Sequence, residues 1–97
     1  MSLHYSNTNT RGQKVEHDSG TTIDGKSVRF TVSLDTSYPE QSSAVSHVWS
    51  HENGWMAVAR YAWQEWAAKD PGTTGLDKVG MALCELECRT LEVLRGN

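Results

Sequence analysis

The sequence predicts an α+β domain, with a small N-terminal antiparallel β-hairpin or sheet followed by a C-terminal antiparallel helical hairpin. Three patterns point to it. Val28, Phe30, Val32 and Leu34 alternate with Arg29, Thr31 and Ser33, the period-two signature of a half-buried strand. Val45, Val48, Trp49, Trp55, Met56, Ala59, Ala62, Trp63, Trp66 and Ala67 share one arc when residues 45–68 are set on a wheel at about 100° per residue. Leu76, Val79, Leu83, Leu86, Thr90 and Val93 recur at three-four spacing, as on the buried face of a helix.

The elements follow in order. Residues 1–20 are polar and rich in Ser, Thr, Asn and Gly, which suits either a mobile tail or an edge strand. Residues 21–97 make a single α+β domain, with strands at about 21–35 and helices at about 39–69 and 75–95. Asp24-Gly25 suits a type I′ hairpin turn, because Gly accepts positive φ without steric cost. The partner strand across that turn is Val15 to Ile23, although its alternation is poor. Ser37-Tyr38-Pro39-Glu40 resembles a helix start, with a capping Ser, an early Pro and Glu three residues after the Ser. Asn53-Gly54 interrupts the first helix, where Gly costs about 1 kcal/mol against Ala, so the helix kinks or breaks there. Asp70-Pro71-Gly72 stops it, Thr74 to Asp77 caps the second helix, and Arg95 and Gly96 close the second.

Composition narrows the class. The chain has 97 residues, 37% hydrophobic and 22% charged, with net charge -3, and no apolar run of membrane-spanning length. That balance argues against a partner that is a nucleic-acid polymer, which calls for a basic face. The first residues have neither a basic nor an apolar stretch of the signal-peptide kind, and Cys84 and Cys88 read as reduced thiols, so a cytoplasmic location is expected. A chain this short buries only about two-thirds of its unfolded surface, and self-association adds what the core lacks. A homo-oligomer is therefore expected.

His47 and His51, like Cys84 and Cys88, stand four apart, a spacing that can chelate zinc. In a helical hairpin the two pairs lie about ten residues out of step, roughly 15 Å at helical rise, so no metal site is expected. Glu52 falls inside the Trp arc. It is either a buried carboxylate that needs a partner or a turn residue facing water. Glu87 stands level with residue 58, within reach of Arg60, which suggests an interhelical ion pair. No phosphate loop, nucleophile elbow or His-Glu-x-x-His occurs, so neither catalysis nor a cofactor is expected. The four Trp residues read first as core, yet His47, His51, Gly54, Val58 and Tyr61 make the opposite helix face far from polar. That second face is suited to another subunit, and indole rings also suit nucleobase stacking.

Two short stretches carry a resemblance: Trp55-Met56-Ala57-Val58-Ala59-Arg60, and Thr74 to Leu83 ending in Met81-Ala82-Leu83. They resemble segments of the phage counter-defence sponge proteins of the anti-CBASS and anti-Thoeris type. The resemblance implies a small, phage-encoded, non-enzymatic homo-oligomer that sequesters a nucleotide second messenger, of cyclic nucleotide or cyclic ADP-ribose type, in the host cytoplasm. Such a ligand needs aromatic faces for its bases and a guanidinium fork for its phosphates. Trp55, Arg60, Tyr61 and His51 are the candidate ligand-binding residues. The alternative is a small phage protein that inhibits a host defence or regulatory protein by direct binding through its Trp-bearing face. A third possibility is a small enzyme centred on Glu52 and His51.

Overall fold

Alternation, not helical periodicity, governs most of this chain. In the computed structural model, which describes residues 3–12, 14–35, 37–62, 64 and 76–96, five strands precede one helix. The strands are β1 (Leu3–Arg11), β2 (Lys14–Ile23), β3 (Lys26–Asp35), β4 (Ser43–Ser50) and β5 (Gly54–Ala62), and the helix is α1 (Leu76–Leu94). Each strand pairs antiparallel with the next, giving a meander in the order β1-β2-β3-β4-β5.

The α+β class stands, while the helical hairpin gives way to a sheet and a single helix among the described residues. The expected helix at 39–69 is replaced over 43–62 by the β4–β5 hairpin. Two physical features decide this. The stretch Ser43 to Ser50 is rich in β-branched, aromatic and hydroxyl residues, and in it Ala44, Ser46 and Val48 alternate buried against Val45, His47 and Trp49. His51-Glu52-Asn53 is a three-residue hairpin loop closed by the Ser50–Gly54 pair, with Gly54 at φ 70, where a side chain would be strained. The helix start at Ser37–Glu40 shrinks to a single 3-10 turn, Pro39–Gln41. The Asp35 carboxylate accepts the Ser37 and Tyr38 backbone N–H groups at 3.0 Å each, and the Ser42 hydroxyl oxygen accepts the Asp35 N–H at 2.9 Å. Trp63, Trp66, Ala67, the Asp70-Pro71-Gly72 stop and the Thr74-Gly75 part of the cap lie outside the described residues.

The β2–β3 hairpin has the form expected of Asp24-Gly25. Ile23 pairs with Lys26 across a two-residue loop, with φ 52 at Asp24 and 80 at Gly25, both positive as type I′ requires. The polar N-terminal segment forms the edge strand β1 and most of β2.

Helix α1 lies across one face of the sheet, mainly on β3, β4 and β5. Its buried positions Val79, Ala82, Leu86 and Thr90 meet Val28, Phe30, Val32 and Leu34 of β3, Ala44 and Val48 of β4, and Tyr61 of β5 in one core. A buried polar link joins the layers: the hydroxyls of Ser46 and Thr90 stand 2.7 Å apart, and Thr90 donates to the Leu86 carbonyl at 2.6 Å. Arg89 closes the helix onto β5, with its guanidinium 4.8 Å from the centre of the Tyr61 ring and its Nη1 donating to the Arg60 carbonyl at 2.6 Å. The expected Glu87–Arg60 pair is not formed. Arg89 pairs instead with Glu85 one turn earlier, at 3.1 Å.

Candidate ligand face on the open side of the sheet

The helix covers one face of the sheet. The other carries every second residue of each strand, and among the described residues nothing packs over it. Two odd-numbered neighbours on a strand share a face, whereas residues five apart do not. Trp55 and Arg60 should therefore oppose each other. A β-bulge reverses this: Ser46 pairs with Ala59 but His47 pairs with Ala57, so Val58 is an extra residue. The register slip turns Trp55, Ala57 and Arg60 to the same open face, beside Trp49, His47 and Val45 of β4.

At one corner of that face Trp49 and Trp55 are directly opposite each other. Their rings meet edge-to-face, with centroids 5.6 Å apart and planes at 69°. Each remains 44–45% exposed, and Met56 is exposed on the other side of the sheet, opposite Val48. An aromatic pair of this kind contributes about 0.5–1.5 kcal/mol beyond its buried area, yet here both rings still present a surface to a ligand. Arg60 stands about 14 Å further along β5 at strand rise, exposed and with no ion pair among the described residues. His47 lies between them, in register with Arg29 of β3.

The structure therefore brings Trp55 and Arg60 together and separates the other two candidates. Tyr61 faces the helix at 2% exposure and belongs to the core, and it borders a recess of about 210 Å³ together with Arg60, Ser42 and Gln64. His51 sits in the exposed β4–β5 turn at the rim of the Trp corner. Glu52 is in the same turn, exposed, with its N–H donating to the Ser50 hydroxyl at 3.3 Å. Trp49 and His47 belong to the face although the sequence singled out neither as a ligand residue. The signal that could have found them is the Asn-Gly turn, which folds residues 43–50 back on 54–62. Cys84 and Cys88 are exposed on α1, away from both histidines, and among the described residues no group of three or more metal-ligating side chains gathers.

At the opposite side of the face, Asp18 and Arg29 form a two-pronged ion pair, Nε to Oδ1 at 2.9 Å and Nη2 to Oδ2 at 2.8 Å. The Tyr5 hydroxyl donates to the same Oδ1 at 3.3 Å. The Arg29 fork holds the Asp18 carboxyl below its ordinary range. Burial, and then the Asp18 charge, push the Tyr5 phenol up.

On the helix side, His17 is buried. Its Nδ1 shares a hydrogen bond with the Thr8 hydroxyl at 2.8 Å, while Nε2 has no partner among the described residues. Burial lowers its pKa from the usual 6.5. The unfolded chain thus takes up a proton on this ring before the folded chain does, so stability is full above about pH 6.5 and falls as the pH drops below it. Asp18, also lowered, acts in the same direction further into acid. Urea unfolding between about pH 7.5 and pH 5 should show a declining midpoint, and His17→Gln should flatten that decline while leaving the more acidic loss in place. An unchanged slope in His17→Gln would show that the ring titrates as it does in water.

Compared with protein-family models, with curated proteins and with solved structures, the chain matches none. Of the two stretches on which the expected resemblance rested, Trp55 to Arg60 falls on β5 and Met81 to Leu83 on α1.

Proposed function

We propose that this chain is a non-enzymatic, homo-oligomeric binding protein that holds a nucleotide-type second messenger against the open face of its sheet. A phage protein of this kind would act in the host cytoplasm by withholding the messenger from anti-phage signalling. The supporting observation is the bulge at Val58, which turns an aromatic pair and a free guanidinium onto one surface. The indole faces of Trp49 and Trp55 suit a base. Arg60 supplies the fork that phosphate oxygens accept, and His47 adds a ring nitrogen between them. The exposed rings at the β4–β5 corner also suit contact with a second copy, which would enclose a ligand that one sheet face leaves half open. No helix among the described residues is long and apolar enough to cross a membrane.

Native mass spectrometry of freshly purified protein, with thermal shifts against cyclic nucleotides and cyclic ADP-ribose isomers, tests this. A ligand at a hundred times its Kd adds about 2.7 kcal/mol, which raises Tm by about 10 °C in a domain of this size. Trp55→Ala should weaken binding by about 1–3 kcal/mol and Arg60→Ala by a similar amount, with the released nucleotide chemically intact. A monomer with no shift across the panel removes the proposal.

The exposed pair of Trp49 and Trp55 equally favours direct binding to a host protein, since aromatic side chains dominate such interfaces. That function is expected to show one host protein retained on the wild-type chain and lost with Trp49→Ala or Trp55→Ala, without any nucleotide shift.

A further inference from the structure

The same open face holds a second feature, two strands away from the Trp corner. Between β1, β2 and β3 the outward side chains of Asn7, Asn9, Glu16, Asp18, Arg29 and Thr31 surround a recess of about 440 Å³, to which Ser33 and the core residues His17 and Val32 also contribute. Its size falls in the range of small-molecule sites, but its lining does not follow their usual apolar pattern. Every one of these six side chains is polar. Arg29 is committed to Asp18 through both prongs of its fork. A carboxylate accepts about four hydrogen bonds, and three sites on Asp18 are taken by Arg29 and Tyr5. The side chains of Asn7, Asn9, Glu16 and Thr31 make no hydrogen bond to another described side chain. They remain open to a ligand while the strands beneath hold them in place.

Charge and hydrogen-bond capacity identify that ligand's class. Two carboxylates and one committed guanidinium leave the recess net negative, so a phosphate or other anion is repelled. Val32 lies beneath the recess with its side chain buried in the core, so among the described residues only the Tyr5 ring at the rim presents an apolar surface, too little for a lipid. The two amides and the hydroxyl each donate and accept, and the carboxylates accept. The matching ligand is neutral and carries many groups that both donate and accept, arranged on a rigid frame. From this recess we infer a binding site for a neutral saccharide, independent of the Trp49–Trp55 corner. Tyr5, half-exposed at the rim with its ring resting on Gly20, supplies an amphipathic surface for the sugar's C–H face. The two-pronged Arg29 bond favours the ionised Asp18 carboxylate, whose remaining lone pair can accept a hydrogen bond from a sugar hydroxyl. Because the side chains stand on paired strands, little ordering opposes binding.

An NMR titration of the full chain tests the site, with neutral mono- to tetrasaccharides of glucose, galactose, mannose and N-acetylglucosamine at millimolar concentration, and inorganic phosphate as a separate probe. At least one saccharide should give saturable shifts at the backbone amides of Asn7, Asn9, Glu16 and Thr31, and phosphate should give none there. Asn9→Ala and Glu16→Ala, both at exposed positions, should each weaken binding about tenfold, the loss of one or two hydrogen bonds. Trp55→Ala should leave the saccharide titration unchanged, which separates this site from the nucleotide face. No saturable shift with any saccharide, shifts confined to the Trp corner, phosphate binding in the recess, or full affinity in both recess variants would each overturn it.

Discussion

Leu86→Ala should destabilise the domain by about 2.7–5 kcal/mol, the range measured for leucines removed from rigid cores. Leu86 is fully buried on α1, with Val79, Ala82 and Thr90 on the same face and the β3–β5 core residues beneath. Truncation removes its transfer free energy and leaves a cavity that a sheet with fixed pairing cannot close. Domains of about this length are stable by only about 5–15 kcal/mol in total, so the change takes a large share of the whole. Val93→Ala provides the contrast. Val93 is 49% exposed on the same helix, and its replacement should fall within about 0.5 kcal/mol of wild type. Urea unfolding midpoints measure both. Equal effects in the two variants would mean that α1 does not pack on the sheet through the face described.

Thr90→Val should cost about 1–3 kcal/mol although it hardly changes the side chain's shape, and Ser46→Ala added to it should restore much of the loss. Thr90 has one hydroxyl proton and gives it to the Leu86 carbonyl, so the bond between the two hydroxyls must use the proton of Ser46. Both residues are fully buried. Valine at 90 leaves the Ser46 donor without an acceptor in a dry interior, and an unmade buried hydrogen bond costs more than a made one contributes. Removing the second hydroxyl as well takes away the stranded group. The double-mutant cycle should therefore show strong coupling between residues 44 apart in sequence, one on β4 and one on α1. Simple additivity would mean that the two hydroxyls do not meet.

How far each element could be read follows from how its residues divide between two environments. Val28 to Leu34 alternates because one side of β3 meets the helix and the other meets water. Helix α1 shows three-four spacing because it too is buried on one side only. The β4–β5 region misleads because several of its large apolar residues are not buried. Trp49, Trp55 and Met56 are exposed, and together they complete an arc that suits a helix wheel. On the core side the same strands carry Ala44 and Ser46, too small and too polar to announce a buried face. Strand β2 hides its alternation in the same way. Its buried positions include His17, Ser19 and Thr21, so inside and outside look alike in hydropathy.

The candidate ligand residues divide on the same ground. Trp55 and Arg60 could be picked out by residue type, as an aromatic surface and a free guanidinium. Tyr61 could not be told from them, because burial of the next residue along depends on which way the strand turns. On a regular strand Trp55 would share its face with Tyr61 and not with Arg60.

By itself, the amino-acid order determined the short-range features: the Asp24-Gly25 hairpin, the alternating strand after it and the amphipathic last helix. Each depends on φ preferences or on burial of one side of a continuous segment, both written in neighbouring residues. Only the three-dimensional arrangement decided that residues 43–62 form a hairpin, and that the extra residue at Val58 brings Trp55 and Arg60 onto one surface. Those outcomes rest on pairing between strands, whose backbone hydrogen bonds join residues with no shared local pattern, and one unpaired residue in that ladder reverses the facing of everything beyond it.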